Sequence, residues 1–305
     1  MNPMVETAVK VVAWLAVVLF ASPLIEGVMR KLRAIVHSRQ GPPIVQPYFD
    51  LAKLLVKEDL SSGPGAVTRL APPAAFAATL AAAFFVPVGA AAPAAGAGDL
   101  FLFVYLISLS SACVMAGGLA QASPFSHFGS SREMMMVVTV EAVMTVALIV
   151  AALTGGTALP SGLAGLPLRV SVVLAVVCYL FAMQALVGKL PFDIPEAEQE
   201  IMEGPFIEYS GPSLALLKWT FYMKQLLFGS LFVGVFFGWP RFGLAGLPGV
   251  VVGMVLTYAA VLGLGLVVAL VDATNPRLRI DQSLRFFGGL MLVALAAAGL
   301  AAFGF

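Results

Sequence analysis

The sequence is poor in charged residues and rich in hydrophobic ones. Only 11% of its 305 residues are charged and 60% are hydrophobic, whereas soluble globular domains carry about 25% charged residues. This composition excludes a soluble domain and indicates an integral membrane protein. The net charge of +1 leaves no extended basic surface, so we expect no binding to nucleic acid.

Residues that bind metals are also scarce. The chain has two histidines and two cysteines, and it lacks Cys-x-x-Cys and His-Glu-x-x-His motifs. We therefore expect no metal or cofactor held by this chain alone. Cys113 and Cys178 lie in apolar segments, where we interpret them as small buried residues rather than as a disulfide. No internal repeat is visible, which weighs against a transporter built from inverted repeats.

Eight apolar segments are each long enough to cross a membrane, which takes about 20 residues in a helix. The sequence therefore predicts an all-α polytopic membrane protein, with about eight transmembrane helices in one domain, residues 1–305. We interpret the first segment as a retained helix, since no signal-peptide cleavage site followed by a soluble domain is present. Pro, Gly and charge mark the turns, among them 121–132. The predicted spans are 6–28, 71–92, 100–120, 134–153, 169–188, 213–237, 248–271 and 285–304.

Lysine and arginine are distributed unevenly between the loops. Segment 30–69 is rich in them, and further basic residues mark other loops on the same side, whereas the opposite loops carry only Arg169 and Arg241. Since cytoplasmic loops carry the excess of basic residues, we expect the charged loops in the cytoplasm and both termini outside the cell membrane. The other basic residues on the predicted cytoplasmic side are Arg132, Lys189, Arg277, Arg279 and Arg285.

Residues 44–57 are too polar to span the membrane. Val45, Phe49, Ala52 and Val56 repeat at helical spacing, with charged residues on the other faces. This pattern is typical of a short amphipathic helix at the membrane interface. A plain surface helix is the alternative.

An acidic loop at about 189–212 is the most unusual feature of the chain. Six of its 16 acids lie there: Asp193, Glu196, Glu198, Glu200, Glu203 and Glu208. Asp193 is a good helix N-cap with Glu196 three residues on, and the expected helix would align Glu196, Glu200 and Glu203. We interpret the cluster as protonatable groups at a cavity mouth; a solvated acidic helix start is the alternative.

Several charged residues fall within or at the edge of predicted spans. Glu141 lies in the middle of 134–153, where a carboxylate is costly unless it is protonated, paired or wetted. Lys224 lies deep enough to pair with Glu141 or with the acidic loop. Lys218 lies closer to the interface and can snorkel. For Glu26, an ion pair with Arg30 four residues on is a sufficient explanation.

Three motifs resemble those of one family. They are Arg39-Gln40-Gly41-Pro42-Pro43 followed by Gln46 and 53–60, then Phe128 to Glu133 with Glu141, and Pro191-Phe192-Asp193-Ile194-Pro195-Glu196-Ala197-Glu198. Together they resemble the membrane subunit that anchors the peripheral arm in complex I and its relatives. Residues 216–219, 223–226 and 275–281 look like the formate hydrogenlyase and energy-converting group 4 [NiFe]-hydrogenase branch, which we favour.

The resemblance implies a membrane subunit without catalytic residues. It would dock a soluble arm of hydrogenase large and small subunits and iron–sulfur subunits, which carry the [NiFe] centre and the clusters, and would adjoin antiporter-like subunits. A proton path is implied at Glu141, Lys224 and the six loop acids, with counter-charge from Arg132, Lys189 and Lys218. The residues expected to dock the arm are Arg39, Gln46, Asp50, Lys53, Lys57, Arg277, Arg279 and Asp281.

One position departs from the family pattern. Members commonly have a glutamate three residues before the basic residue that opens the loop, and here that position is Leu186, ahead of Lys189. Gln184 with water could substitute, or the path could run through Glu141 and the loop alone. The alternatives for the whole chain are a quinone-chamber subunit of an NADH:quinone oxidoreductase, a stand-alone ion transporter and a purely structural anchor.

Overall fold

A computed structural model describes residues 11–60, 65–86, 100–159, 163, 166–195, 198–238 and 247–304. Among these residues the regular structure is helical throughout. The helices are α1 (Val11–Val36), α2 (Gln46–Val56), α3 (Ala66–Ala83), α4 (Leu100–Leu119), α5 (Pro124–Gly155), α6 (Val170–Leu186), α7 (Glu198–Ile201), α8 (Gly211–Phe237), α9 (Leu247–Thr274) and α10 (Ile280–Ala302).

The predicted number of membrane spans is confirmed. Seven helices are long and apolar enough to cross a membrane, and α6 is a shorter apolar helix. The seven are α1, α3, α4, α5, α8, α9 and α10. Each apolar run is therefore realised as one helix of the bundle.

Helix α5 begins ten residues before the predicted span 134–153, so the expectation of a turn over 121–132 is wrong for most of that segment. Pro124 stands in the first helical turn, where its missing N–H costs nothing. No helix breaker follows until Gly156, which ends the helix with φ +68°. As a result Arg132 and Glu133 lie on a continuous helix rather than in a loop.

Helix α8 occupies the centre of the bundle. In its most apolar 18-residue stretch, 89% of the residues are buried inside the protein, a larger share than in any other described span. Phe228 of α8 packs edge-on against Phe103 of α4, and its backbone carbonyl accepts a hydrogen bond from Tyr179 of α6. A charged side chain on this helix is consequently surrounded by protein rather than by lipid.

Helix α2 confirms the short helix predicted at 44–57, and it packs against α1 and α8. Leu51 is buried beside Tyr222, whereas Phe49 and Val56 are exposed. Its placement at a membrane interface stays a prediction.

The segment that follows α7 packs closely on α5. A Cβ atom on Gly129 would come within 2.5 Å of the Gly204 Cα, and Gly204 itself has φ +51°. Glycine at these two positions therefore allows the acidic loop to rest directly on the start of α5.

Candidate functional site: a charged cavity and a buried polar chain

A cavity of about 470 Å³ lies at the carboxyl end of α1. Its walls come from α1, α8, the start of the acidic loop and the connection between α9 and α10. Charged side chains dominate the lining, which is unusual for a protein whose sequence is so apolar. The charged lining residues are Glu26, Arg30, Arg33, Lys189, Asp193, Glu203, Lys218, Asp272 and Arg277.

Glu26 is the most highly connected carboxylate of this cavity. Its side-chain oxygens lie 2.8 and 3.0 Å from the Lys189 ammonium, and Arg30 Nε is 3.1 Å away. The residue is only 5% exposed. Lys189, which we expected to balance the acidic loop, is thus paired with helix α1.

A second group of ion pairs joins α1 and the acidic loop to the connection after α9. Arg33 binds the buried carboxylate of Asp272, which also accepts a 3.0 Å hydrogen bond from the backbone N–H of Leu190. Arg277 binds Asp193 at 2.7 Å. Burial raises the pKa of Asp193, and the Arg277 guanidinium opposes that shift.

The predicted helix through the acidic loop is wrong in two respects. The helix is only the single turn α7, and Asp193 precedes it by five residues, so Asp193 binds Arg277 instead of capping a helix. Glu203 follows α7 with φ +70°, so it cannot share a helical face with Glu200. Glu196 and the side chain of Glu198 lie outside the described residues.

The remaining loop acids have different surroundings. Glu200 is exposed and binds Arg132 at 2.6 Å, and this contact lowers the pKa of Glu200. Glu203 lines the cavity opposite Lys218, and within the described part of the chain neither residue forms an ion pair. Glu208 is half-buried and outside the cavity.

Lys224 is enclosed within the bundle. It is 3% exposed, its ammonium donates a 3.0 Å hydrogen bond to Ser111 of α4, and it lies 5.4 Å from the centre of the Phe221 ring. No ion pair with Glu141 or with the acidic loop is found among the described residues. The sequence-based pairing of Lys224 with a carboxylate is therefore replaced by a hydroxyl.

Glu141 also binds a serine of α4. Ser108 donates a 2.5 Å hydrogen bond to one carboxylate oxygen, and the other oxygen is buried with no partner in the described structure. Ser108 and Ser111 are one helical turn apart, so α4 presents two hydroxyls to the two charged residues of the span interior.

Glu133 connects the charged cavity to this interior pair. It interacts electrostatically with Lys224, Glu141 and Asp193. Beside it lies a cavity of about 20 Å³, lined by Ser111 and Leu186 as well, with room for about one water molecule. Leu186 thus places an apolar side chain where the family pattern has a carboxylate.

The expected docking residues divide into two groups. Asp50 accepts hydrogen bonds of 3.1 Å from both Gln46 and Arg30, and Arg277 lies in the cavity, so these three side chains have partners within the chain. The others are exposed: Arg39, Lys53, Lys57, and the 3.5 Å ion pair of Arg279 with Asp281.

Sequence reasoning missed several residues of this site. Glu26 was explained by its neighbour Arg30, Arg33 was counted only as a basic residue, and Asp272 was not assigned to the site. A carboxylate near the end of each of two spans was the available signal, but the partners Lys189 and Arg33 are distant in sequence.

Comparisons with known sequences and structures agree with the motifs. A family model described as NADH dehydrogenase matches residues 9–303. Formate hydrogenlyase subunit 4 of Escherichia coli (strain K12) is 37% identical over 300 residues, covering 93% of this chain and 97% of that protein. Hydrogenase-4 component C of the same organism is 35% identical, covering 86% of this chain and 85% of that protein.

A membrane component of the NADH-quinone oxidoreductase of Syntrophotalea carbinolica is 32% identical and covers 87% of this chain and 85% of that protein. Among solved structures, the membrane-bound sulfane sulfur reductase, an archaeal respiratory membrane complex, contains a similar chain. The TM-score is 0.89 at 24% identity, with 97% of this chain and 99% of that chain covered. This last likeness establishes the fold.

Proposed function

The chain belongs to the NADH dehydrogenase family, and from this premise we propose that it is the membrane subunit of an energy-converting hydrogenase complex of the formate hydrogenlyase type. Its identity to the two hydrogenase-type relatives exceeds its identity to the quinone oxidoreductase component reported above. It is a multi-pass membrane protein. The observation that carries the proposal is the charged cavity beside α2, from which buried polar side chains continue to Glu141.

In this proposal the chain docks a soluble redox arm on the cytoplasmic side of the cell membrane. The exposed basic residues Arg39, Lys53 and Lys57 and the pair Arg279–Asp281 are positioned to contact it. Both termini then lie outside. The [NiFe] centre and the iron–sulfur clusters belong to subunits of the arm, and antiporter-like subunits adjoin this chain in the membrane.

The second part of the proposal is a proton path. It begins at the cavity acids Asp193 and Glu203, passes Glu133, and reaches Lys224 with Ser111 and then Glu141 with Ser108. Electrostatic interactions link Glu133 to both ends of this sequence. Redox changes in the arm would bias the loop at one end, and Glu141 would pass protons towards neighbouring subunits at the other.

A quinone chamber is the second candidate function. The cavity volume of about 470 Å³ is in the range of small-molecule sites, and one relative is a component of a NADH-quinone oxidoreductase. Protection of the cavity by quinone-site ligands in the purified complex would favour this function over the first.

Purification of the chain from its native membrane in mild detergent, with mass spectrometry of its partners, tests the proposal. We expect a large subunit with two Cys-x-x-Cys nickel-ligand pairs. A quinone-reductase arm without those cysteines would favour the second candidate. The absence of any soluble partner would contradict both.

A further inference from the structure

Glu26 ties helix α1 to the acidic loop through two cations. Lys189, which opens the loop, approaches both carboxylate oxygens, and Arg30 approaches one of them from the same helix. The carboxylate lines the 470 Å³ cavity although the residue is almost fully buried. It therefore combines burial in protein with access to the space that the other cavity acids share.

Arg30 extends this contact to helix α2. Its guanidinium donates 3.1 Å hydrogen bonds to Asp50 of α2 and to the Tyr222 hydroxyl of α8. The result is one continuous chain of charges, Asp50–Arg30–Glu26–Lys189, from the exposed helix α2 to the first residue of the acidic loop. Because Arg30 divides its hydrogen bonds between two carboxylates, a change at Asp50 alters how strongly Arg30 holds Glu26.

Protonation of Glu26 would change this chain in one step. A neutral carboxyl group loses most of its attraction for both cations, so Lys189 would no longer be held to α1. The nearby charged or titratable side chains are those of α1, α2, α8, the acidic loop and the connection after α9: Arg30, Arg33, Asp50, Lys189, Asp193, Lys218, Tyr222, Asp272 and Arg277.

We propose that Glu26 takes up a proton from the cavity and thereby releases Lys189, so that contact of the arm with α2 is linked to the state of the acidic loop. The proton passes from cavity water to a carboxylate oxygen, and the only bonds lost are the ion pairs with Lys189 and Arg30. This inference rests on the proposed function, since it assumes that an arm docks at α2.

The test uses the assembled complex in inside-out vesicles, in which hydrogen production and proton uptake are measured together. Glu26→Gln keeps the shape of the side chain but cannot take up a proton. We expect hydrogen production within about twofold of wild type and a ratio of protons to hydrogen reduced by about tenfold. Glu58→Gln, the same exchange at an exposed acid beyond α2, is the matched control and should change neither quantity.

An unchanged ratio in assembled Glu26→Gln overturns the proposal. If that variant does not assemble, Glu26→Asp decides, because it keeps a titratable group at a longer distance from Lys189. We then expect the pH midpoint of the ratio to move, and an unmoved midpoint, or loss of assembly here too, leaves Glu26 a purely structural residue. Absence of a [NiFe] large subunit from the wild-type complex would instead contradict the proposed function, independently of Glu26.

Discussion

The guanidinium of Arg277 donates a 2.7 Å hydrogen bond to the carboxylate of Asp193, across 84 positions of the sequence. Next to it, the backbone N–H of Leu278 donates a 3.0 Å hydrogen bond to the carbonyl of Pro191. These two contacts fasten the acidic loop to the connection between α9 and α10. Arg277 therefore has an internal partner, although the sequence had suggested that it contacts a soluble arm.

Removal of the Arg277 charge should destabilise the protein. In Arg277→Gln the half-buried Asp193 carboxylate loses its cation, and we expect a cost of about 1–2 kcal/mol, reduced from the value for fully buried pairs because both side chains are partly exposed. Thermal unfolding in detergent measures it. Arg279→Gln, at an exposed pair nearby, is the control and should cost less than about 0.5 kcal/mol.

Asp193 and Glu200 should give opposite pH dependences of stability. The pKa of Asp193 is raised, so its favourable contribution is complete below the ordinary aspartate pKa of about 4 and is lost as the pH rises through the raised value. The pKa of Glu200 is lowered, so its contribution is present above about pH 4.3 and is lost as the pH falls through the lowered value.

The measurement compares unfolding of Asp193→Asn and of Glu200→Gln with that of wild type between acidic and neutral pH. Relative to its variant, wild type should lose stability with rising pH at position 193 and gain it at position 200. Two differences of the same sign would contradict the assigned surroundings of the loop.

Glu141 should be required for proton translocation but not for hydrogen production. Glu141→Gln cannot accept a proton, and we expect the ratio of translocated protons to hydrogen to fall about tenfold or more. Ser108→Ala removes the hydroxyl that binds Glu141 and should lower the ratio less. Thr145→Val removes a hydroxyl one turn along α5 and serves as the control. Normal coupling in Glu141→Gln would leave only an anchoring role.

Lys224 should be dispensable for stability. A buried charge can often be replaced by an apolar side chain of similar length at little cost, and Ser111 keeps a 3.3 Å hydrogen bond to the carbonyl of Ile107. We expect Lys224→Met to unfold within about 1 kcal/mol of wild type and to lose proton translocation. A large loss of stability with normal coupling would show that the ammonium serves packing alone.

Leu186 should limit the proton path. It lines the 20 Å³ cavity beside Glu133 and Ser111, so Leu186→Glu adds a protonatable group there. We expect the ratio of translocated protons to hydrogen to rise about twofold or more, with some loss of stability from burying a carboxyl group. Leu186→Gln adds polarity without titration, and an equal effect of both variants would rule out a relay by the new carboxylate.

Much of the fold could be predicted from the sequence because its cause is local. An apolar run of about 20 residues can satisfy its backbone in lipid only as a helix, so eight spans and the short helix α2 were predictable, as was the family from three motifs. The helix boundaries were less so. Nothing between Pro124 and Gly156 breaks the helix, and the apolar run alone does not reveal that.

The tertiary structure alone decided which charges meet. Glu26 has Arg30 four residues away, which was evident from the sequence, but Lys189 is 163 positions away and reaches it only through the packing of the loop against α1. Likewise Lys224 binds a serine of α4 rather than a carboxylate. Hydrophobic periodicity fixes where a helix lies in the bilayer, whereas the pairing of buried charges depends on which faces of distant helices pack together.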